Sequence, residues 1–170
     1  MKILFGFVLV FGMVIMGAGC TASVPTAVTT TTSPSTTTPS STSTATSSTV
    51  IDLSNRGLTS LQSSVFTKTT TTSLDVSHNA LTGALPGEIR FLQNLQSLDA
   101  SDNAMTGVPA EIGQLVNLQT LDLSNNQLTG LPNELGNLKH LQRLDLRGNT
   151  ITKQDLDGIR ASLTNTEILE

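Results

Sequence analysis

Five aspartates recur along the chain at Asp52, Asp75, Asp99, Asp122 and Asp145, each followed two residues later by Ser54, Ser77, Ser101, Ser124 or Arg147. Should they share one face of neighbouring parallel strands, their carboxylates stack at about 4.8 Å. Such a ladder admits three chemistries. Asp and Ser can hydrogen-bond laterally as polar filler. The acidic strip, flanked by Arg143 and Arg147, can act as an electrostatically patterned surface for a protein partner. Carboxylate pairs can also hold a cation or catalyse, since two carboxyl groups about 5–5.5 Å apart suit a retaining glycosidase. That last chemistry needs a pocket that excludes water and sets one acid apart from its neighbour. Equivalent pairs on an open sheet provide neither, so the chain reads as a non-enzyme with no cofactor and no metal.

Other reactive residues are sparse. His78 and His140 lie nearly three repeats apart and fall on different faces, and Cys20 is the only cysteine, which excludes an intrachain disulfide or redox pair. Gly83, Gly107 and Gly130 recur together and read as turn residues rather than a phosphate loop. Phe66 and Phe91 are the only aromatics beyond the first 20 residues, and both are predicted core. Without Trp or Tyr to stack on sugar rings, carbohydrate binding is disfavoured. A net charge of −4 over 170 residues argues against a nucleic-acid partner, which requires a clustered basic face.

Charge divides the chain. Apart from Lys2, no charged residue precedes Asp52. Residues 1–19 comprise a short positive start, an apolar run from Ile3 to Met16, and small residues up to Gly19; the run is too short for a spanning helix and suits a signal peptide. Residues 21–49 hold 13 Thr, 8 Ser and 3 Pro among 29, with no charge and no aromatic. They cannot bury enough apolar surface to offset backbone ordering, so residues 20–49 are predicted to form a disordered tether. Its reach lies between about 30 Å as a coil and about 90 Å when fully extended.

Ala18, Gly19 and Cys20 directly after the apolar core resemble the lipobox of bacterial lipoproteins, with Gly17 standing where that family has Leu, Val or Ile. The resemblance implies cleavage before Cys20 and lipidation of its sulfur. The domain would then be held on the extracytoplasmic side of a bacterial membrane; the alternatives are ordinary secretion and an uncut signal anchor.

Residues 50–152 are periodic. LDVSHNALTG (74–83), LDASDNAMTG (98–107), LDLSNNQLTG (121–130) and LDLRGNTIT (144–152) align, and IDLSNRGLTS opens an imperfect first copy at Ile51. The leading residues Ile51, Leu74, Leu98, Leu121 and Leu144 follow one another at intervals of 23, 24, 23 and 23. Alternation of Leu121 and Leu123 with Thr120, Asp122 and Ser124 marks a half-buried strand. No single copy can enclose its leucines, whereas stacked copies share one core.

The period and the pattern L-x-L-x-x-N-x-L resemble the leucine-rich repeat family. The resemblance implies an α/β solenoid, a right-handed coil of about five repeats with a short parallel sheet on its concave face. Asn79, Asn103, Asn126 and Asn149 recur as a structural ladder, because a carboxamide can satisfy both N–H and C=O groups where the chain leaves the strand. Arg56 occupies that slot in the first copy and cannot accept a hydrogen bond, so the turn there is expected to be looser.

Return segments beginning at Pro86, Pro109 and Pro132 each carry a glutamate two residues later and predict short helices or 3₁₀ turns on the convex side, with Pro at the first position. Lys68 and Thr71 replace leucines in the first copy, which predicts a polar N-terminal edge with a mobile return segment. Residues 153–170 read as a cap. Thr152 and Asp155 have capping-box spacing ahead of a helix over about 154–163, and residues 166–170 add a last edge strand.

Family resemblance implies binding of a protein partner through the concave face, at Asp75, Ser77, Asp99, Ser101, Asp122, Ser124, Arg143, Asp145 and Arg147. A monomer is expected. The alternatives are a structural envelope spacer with no dedicated ligand, and a hydrolase or cation binder using the aspartates.

Overall fold

A computed structural model describes residues 49–170. The expected signal peptide, the lipidation residue Cys20 and the stalk up to residue 48 lie outside the described residues. The chain forms β1 (Thr49–Asp52), β2 (Thr71–Asp75), β3 (Thr82–Gly83), β4 (Ser97–Asp99), β5 (Ala104–Met105), β6 (Thr120–Asp122), β7 (Arg143–Asp145), α1 (Lys153–Ser162) and β8 (Glu167–Leu169). Four 3₁₀ turns, Ser63–Thr67, Gly87–Phe91, Ala110–Gln114 and Asn133–Asn137, carry the chain back between strands.

β1, β2, β4, β6, β7 and β8 lie side by side in that order as one parallel sheet, each strand one repeat beyond its neighbour. Register follows the period: Leu74, Leu98, Leu121 and Leu144 are successive partners, and so are Asp75, Asp99, Asp122 and Asp145. The leucine row is inside, where it joins Leu95, Leu118, Leu128, Leu135 and Leu138 in one continuous core. β3 and β5 form a separate parallel pair that the period alone does not reveal.

Each return turn spans five residues. At about 2.0 Å per residue that is about 10 Å, the length of a three-residue strand. Glu88, Glu111 and Glu134 sit in the first turns as expected. Pro86, Pro109 and Pro132 stand one position earlier than expected, as cap residues, where their carbonyls accept from Ile89, Ile112 and Leu135 N–H.

The asparagine ladder turns the chain off the sheet. Asn126 Nδ2 donates to Ala100 O in the preceding repeat and to Leu123 O and Ser124 O in its own, while Oδ1 accepts from Met105 N at 3.0 Å. Asn79, Asn103 and Asn149 repeat this bridging. Arg56 supplies donors only. Its Nη2 donates to Asp52 O at 2.6 Å, on the outer edge of β1.

Several expectations change. Phe66 is core, but Phe91 is 48% exposed because it sits on the outer side of its turn, with the Arg90 guanidinium over its ring at 4.6 Å. Thr71 is not part of a polar edge: it is fully buried, and its hydroxyl donates to Lys68 O at 2.6 Å, so it substitutes for a leucine without an orphaned group. Among the three recurrent glycines only Gly83 has positive φ; Gly107 and Gly130 do not need glycine's conformational freedom.

The cap agrees closely with its signals. Thr152 accepts from Asp155 N and starts α1, which turns Leu156 and Ile159 inward, and β8 pairs with β7. No helix among the described residues is long and apolar enough to cross a membrane.

Candidate functional site

The outer face of the sheet carries Asp52, Asp75, Asp99 and Asp122, with Arg143 and Arg147 at one end. Its aspartates act along their own strand rather than across it. Asp75 Oδ1 accepts from Ser77 N at 2.9 Å and Ser77 Oγ at 2.7 Å. Asp52, Asp99 and Asp122 bind Ser54, Ser101 and Ser124 in the same way. The expectation of lateral Asp–Ser bonding is therefore corrected: the geometry is a turn-closing bond over two residues, favoured because Asp and Ser readily bond nearby backbone. Ser77, Ser101 and Ser124 are only 5–7% exposed, so they support the surface rather than form it. Asp75, Asp99 and Asp122 remain half-buried, each with Oδ1 engaged.

Asp145 differs from its neighbours. It is fully buried under two arginines: Arg147 Nε donates to Oδ1 at 2.9 Å and Nη2 to Oδ2 at 2.6 Å, and Arg143 Nη2 lies 3.3 Å from Oδ2. The cause is a substitution pattern. Arg147 replaces the usual Ser, Arg143 stands where Ser97 and Thr120 do, and the partner on the far side is Leu169 rather than another acid. Bonds from the Arg147 side chain, outweighing the effect of burial, hold the Asp145 carboxyl below the ordinary carboxylate range. Asp52, at the other end, is also held low, chiefly by the Ser54 N–H and then its hydroxyl.

A carboxyl held low contributes stability above its unfolded value and loses it as pH falls through the folded value. Arg147→Ala removes the strongest cause, so Asp145 should protonate at higher pH. An acid titration followed by circular dichroism is expected to show the unfolding midpoint moving upward, and an unchanged midpoint would refute this assignment.

Two further columns went unrecognised in the sequence. Asn55, His78, Asp102, Asn125 and Gly148 all take positive φ, between 52° and 71°, where the chain leaves the sheet. Asn, Asp and Gly tolerate that region best, so their recurrence just before the ladder asparagine was the available signal. Asn125 Nδ2 donates to Asp102 Oδ1 at 3.1 Å, and exposed His78 Nδ1 lies 3.6 Å from Asp102 Oδ2. On the strand-entry side, Asn94 and Asn117 donate to Thr69 O and Gln93 O, forming a second, shorter ladder. Exposed His140 fills the next slot on the strand-entry side, whereas His78 stands on the exit side.

Among the described residues no group of three or more His, Cys, Asp or Glu converges as a metal site. The arrangement is a stacked-repeat protein that offers an open polar sheet with an acidic centre and a basic end. A family model described as leucine rich repeat matches residues 48–105 and 93–151, more than half of the chain. This chain belongs to the leucine-rich repeat family.

No curated protein matches the sequence. Among solved structures the chain is similar to a leucine-rich repeat protein of Leptospira interrogans, with 44% identity and a TM-score of 0.62 over 65% of this chain and 28% of that one. It is also similar to the ectodomain of the receptor kinase SOBIR1 of Arabidopsis thaliana, at 27% identity and TM-score 0.58, covering 70% of this chain and 65% of that one. A third likeness is to the BIR3–SERK2 complex of the same plant, at 34% identity and TM-score 0.55, covering 60% and 56%. The chain thus spans under a third of the Leptospira protein and just under two thirds of the SOBIR1 ectodomain.

Proposed function

We propose that this chain is an exported, lipid-anchored binding module that engages a protein partner through the outer, concave face of its sheet, without catalysis. One observation carries the reading. Leu74, Leu98, Leu121 and Leu144 are all used up in the core, while Asp75, Asp99, Asp122, Arg143 and Arg147 stand at the surface of the sheet. Repeat solenoids present such extended faces to partners, and complementary charge on them governs encounter and register. The ladder's Oδ1 atoms are already committed to serines and backbone, which suits a preformed surface. One similar structure is itself a complex, the BIR3–SERK2 assembly. Lys2, the apolar run Ile3–Met16 and Gly19-Cys20 support the anchor, and the Thr/Ser/Pro segment suits a spacer.

The test is capture of partners from a surface extract of the producing cell, comparing wild type with Asp99→Lys/Asp122→Lys. Circular dichroism should show the fold retained with a lower unfolding midpoint, since the bonds to Ser101 and Ser124 are lost, and recovery of the partner below that midpoint should fall at least about ten-fold, as like charges set against each other cost several kcal/mol. Equal recovery would favour a spacer that has no dedicated ligand.

A further inference from the structure

A row of glutamines follows the repeat on the strand-entry side. Gln96, Gln119 and Gln142 stand at intervals of 23, each immediately before a strand. Their backbones are fixed one above another, because Gln119 N donates to Gln96 O at 2.8 Å and Gln142 N to Gln119 O at 2.7 Å. All three residues are exposed, so the row is a ladder of carboxamides carried about 4.8 Å apart and offered to solvent.

Beside this row the structural pattern is broken. Asn94 and Asn117 tie down the preceding return segments through Thr69 O and Gln93 O. A third asparagine at position 140 would reach Val116 O in the same way, but the chain has His140 there. A cleft of about 180 Å³ lies at this point, lined by Gln96, Asn117, Gln119, His140 and Gln142.

The lining decides the ligand. It holds no acid, no Lys or Arg and no Phe, so neither an ion nor a stacked ring finds a counterpart. The volume is below the roughly 300–1,000 Å³ of a pocket that encloses a whole small molecule. What a carboxamide matches is another amide. Its oxygen accepts an N–H while its nitrogen donates to a C=O, the pair that one residue of extended backbone presents along its edge. Three rungs span about 10 Å, the length of three extended residues at about 3.3 Å each. We propose that this row receives an extended peptide segment of a partner and holds it by its main chain. The long glutamine stems absorb the mismatch between rung and residue spacing. Recognition of this kind tolerates many side chains but not loss of the backbone N–H groups. The cleft shares no lining residue with the charged strip on the sheet and does not need its charges.

Residues 21–170 contain the entire core and no cysteine, and they are the chain to use. The probe is an uncharged, end-capped peptide of alternating Thr and Val, long enough to cross the three rungs. Nuclear magnetic resonance of the side-chain amides should show the Gln96, Gln119 and Gln142 signals shifting saturably. The same peptide N-methylated throughout its central residues should bind at least about ten-fold more weakly, since its donors are gone. Gln119→Ala/Gln142→Ala changes two exposed residues and removes up to four hydrogen bonds, so it should weaken the unmodified peptide at least about ten-fold. His140→Asn, which returns a carboxamide to Val116 O, should weaken it several-fold. Absence of a saturable shift, equal binding of the N-methylated peptide, binding unaffected by either variant, or a neutral oligosaccharide that shifts the same signals at lower concentration would overturn the proposal. Asp99→Lys/Asp122→Lys, below its unfolding midpoint, should leave peptide binding intact, so this proposal and capture through the charged strip can fail separately.

Discussion

Asn126→Ala should lower the unfolding free energy by about 3 kcal/mol, the largest loss for any single ladder residue. The carboxamide is 7% exposed and serves four backbone groups: Ala100 O, Leu123 O, Ser124 O and Met105 N. Each orphaned buried group costs about 1–3 kcal/mol, although a carbonyl keeps some capacity through other bonds, so the total falls well short of the sum. Asn79→Ala should cost less, because that side chain is half-buried and water can reach the vacated groups. Asn126→Asp keeps the acceptor but removes the donors and places a carboxylate oxygen against carbonyls, so it should be at least as damaging. Urea unfolding of the three variants measures the order. A loss below about 1 kcal/mol in Asn126→Ala would mean that the turn does not depend on the ladder.

Gly113→Ala is expected to cost a similar amount for a different reason. A methyl group at Gly113 would stand 2.2 Å from Glu134 O and 2.8 Å from Glu134 C, and these are backbone atoms that cannot rotate away. Relief requires the turns Ala110–Gln114 and Asn133–Asn137 to part by about 1 Å, which loosens Leu115 and Leu138 behind them. Overpacking of this kind costs about 1–3 kcal/mol, and a clash with main chain belongs at the upper end. Thermal unfolding should show Tm falling by roughly 10 °C, taking about 3–4 °C per kcal/mol at this domain size. Gly158→Ala is the control. It lies in α1 with nothing within 4 Å of the added methyl, so it should be neutral or raise stability by up to about 1 kcal/mol. If Gly113→Ala behaves like Gly158→Ala, the close packing of neighbouring turns is wrong.

Much of the fold was legible because repetition multiplies weak signals. One L-x-L-x-x-N is ambiguous, but five near-copies at 23–24 residues assign strand, turn and register together. Asn126 could be read because only a donor–acceptor side chain suits that slot, and Thr152 with Asp155 because cap spacing is local. Gly113 and Gly136 were not singled out, since their need for a missing Cβ arises from Glu134 and Ser162 in other elements. The candidate site was legible as a set of columns and not as a surface. Ser77, Ser101 and Ser124 point along the sheet face by period, yet they are covered once bonded to their own aspartates.

What the sequence determined by itself is therefore everything that depends on spacing: the number of repeats, which residues become partners on neighbouring strands, the asparagine ladder and the capped C-terminal end. Tertiary structure alone decided exposure and direction. It put Phe91 outside, drew Asp145 beneath Arg143 and Arg147, turned the Asp–Ser bonds along their strands and left Leu58 and Val65 half-buried in the first repeat. The physical reason is that spacing is set by covalent chain length and hydrogen-bond period, both written into one repeat. Exposure depends on what the next repeat, or its absence, places within a few ångströms.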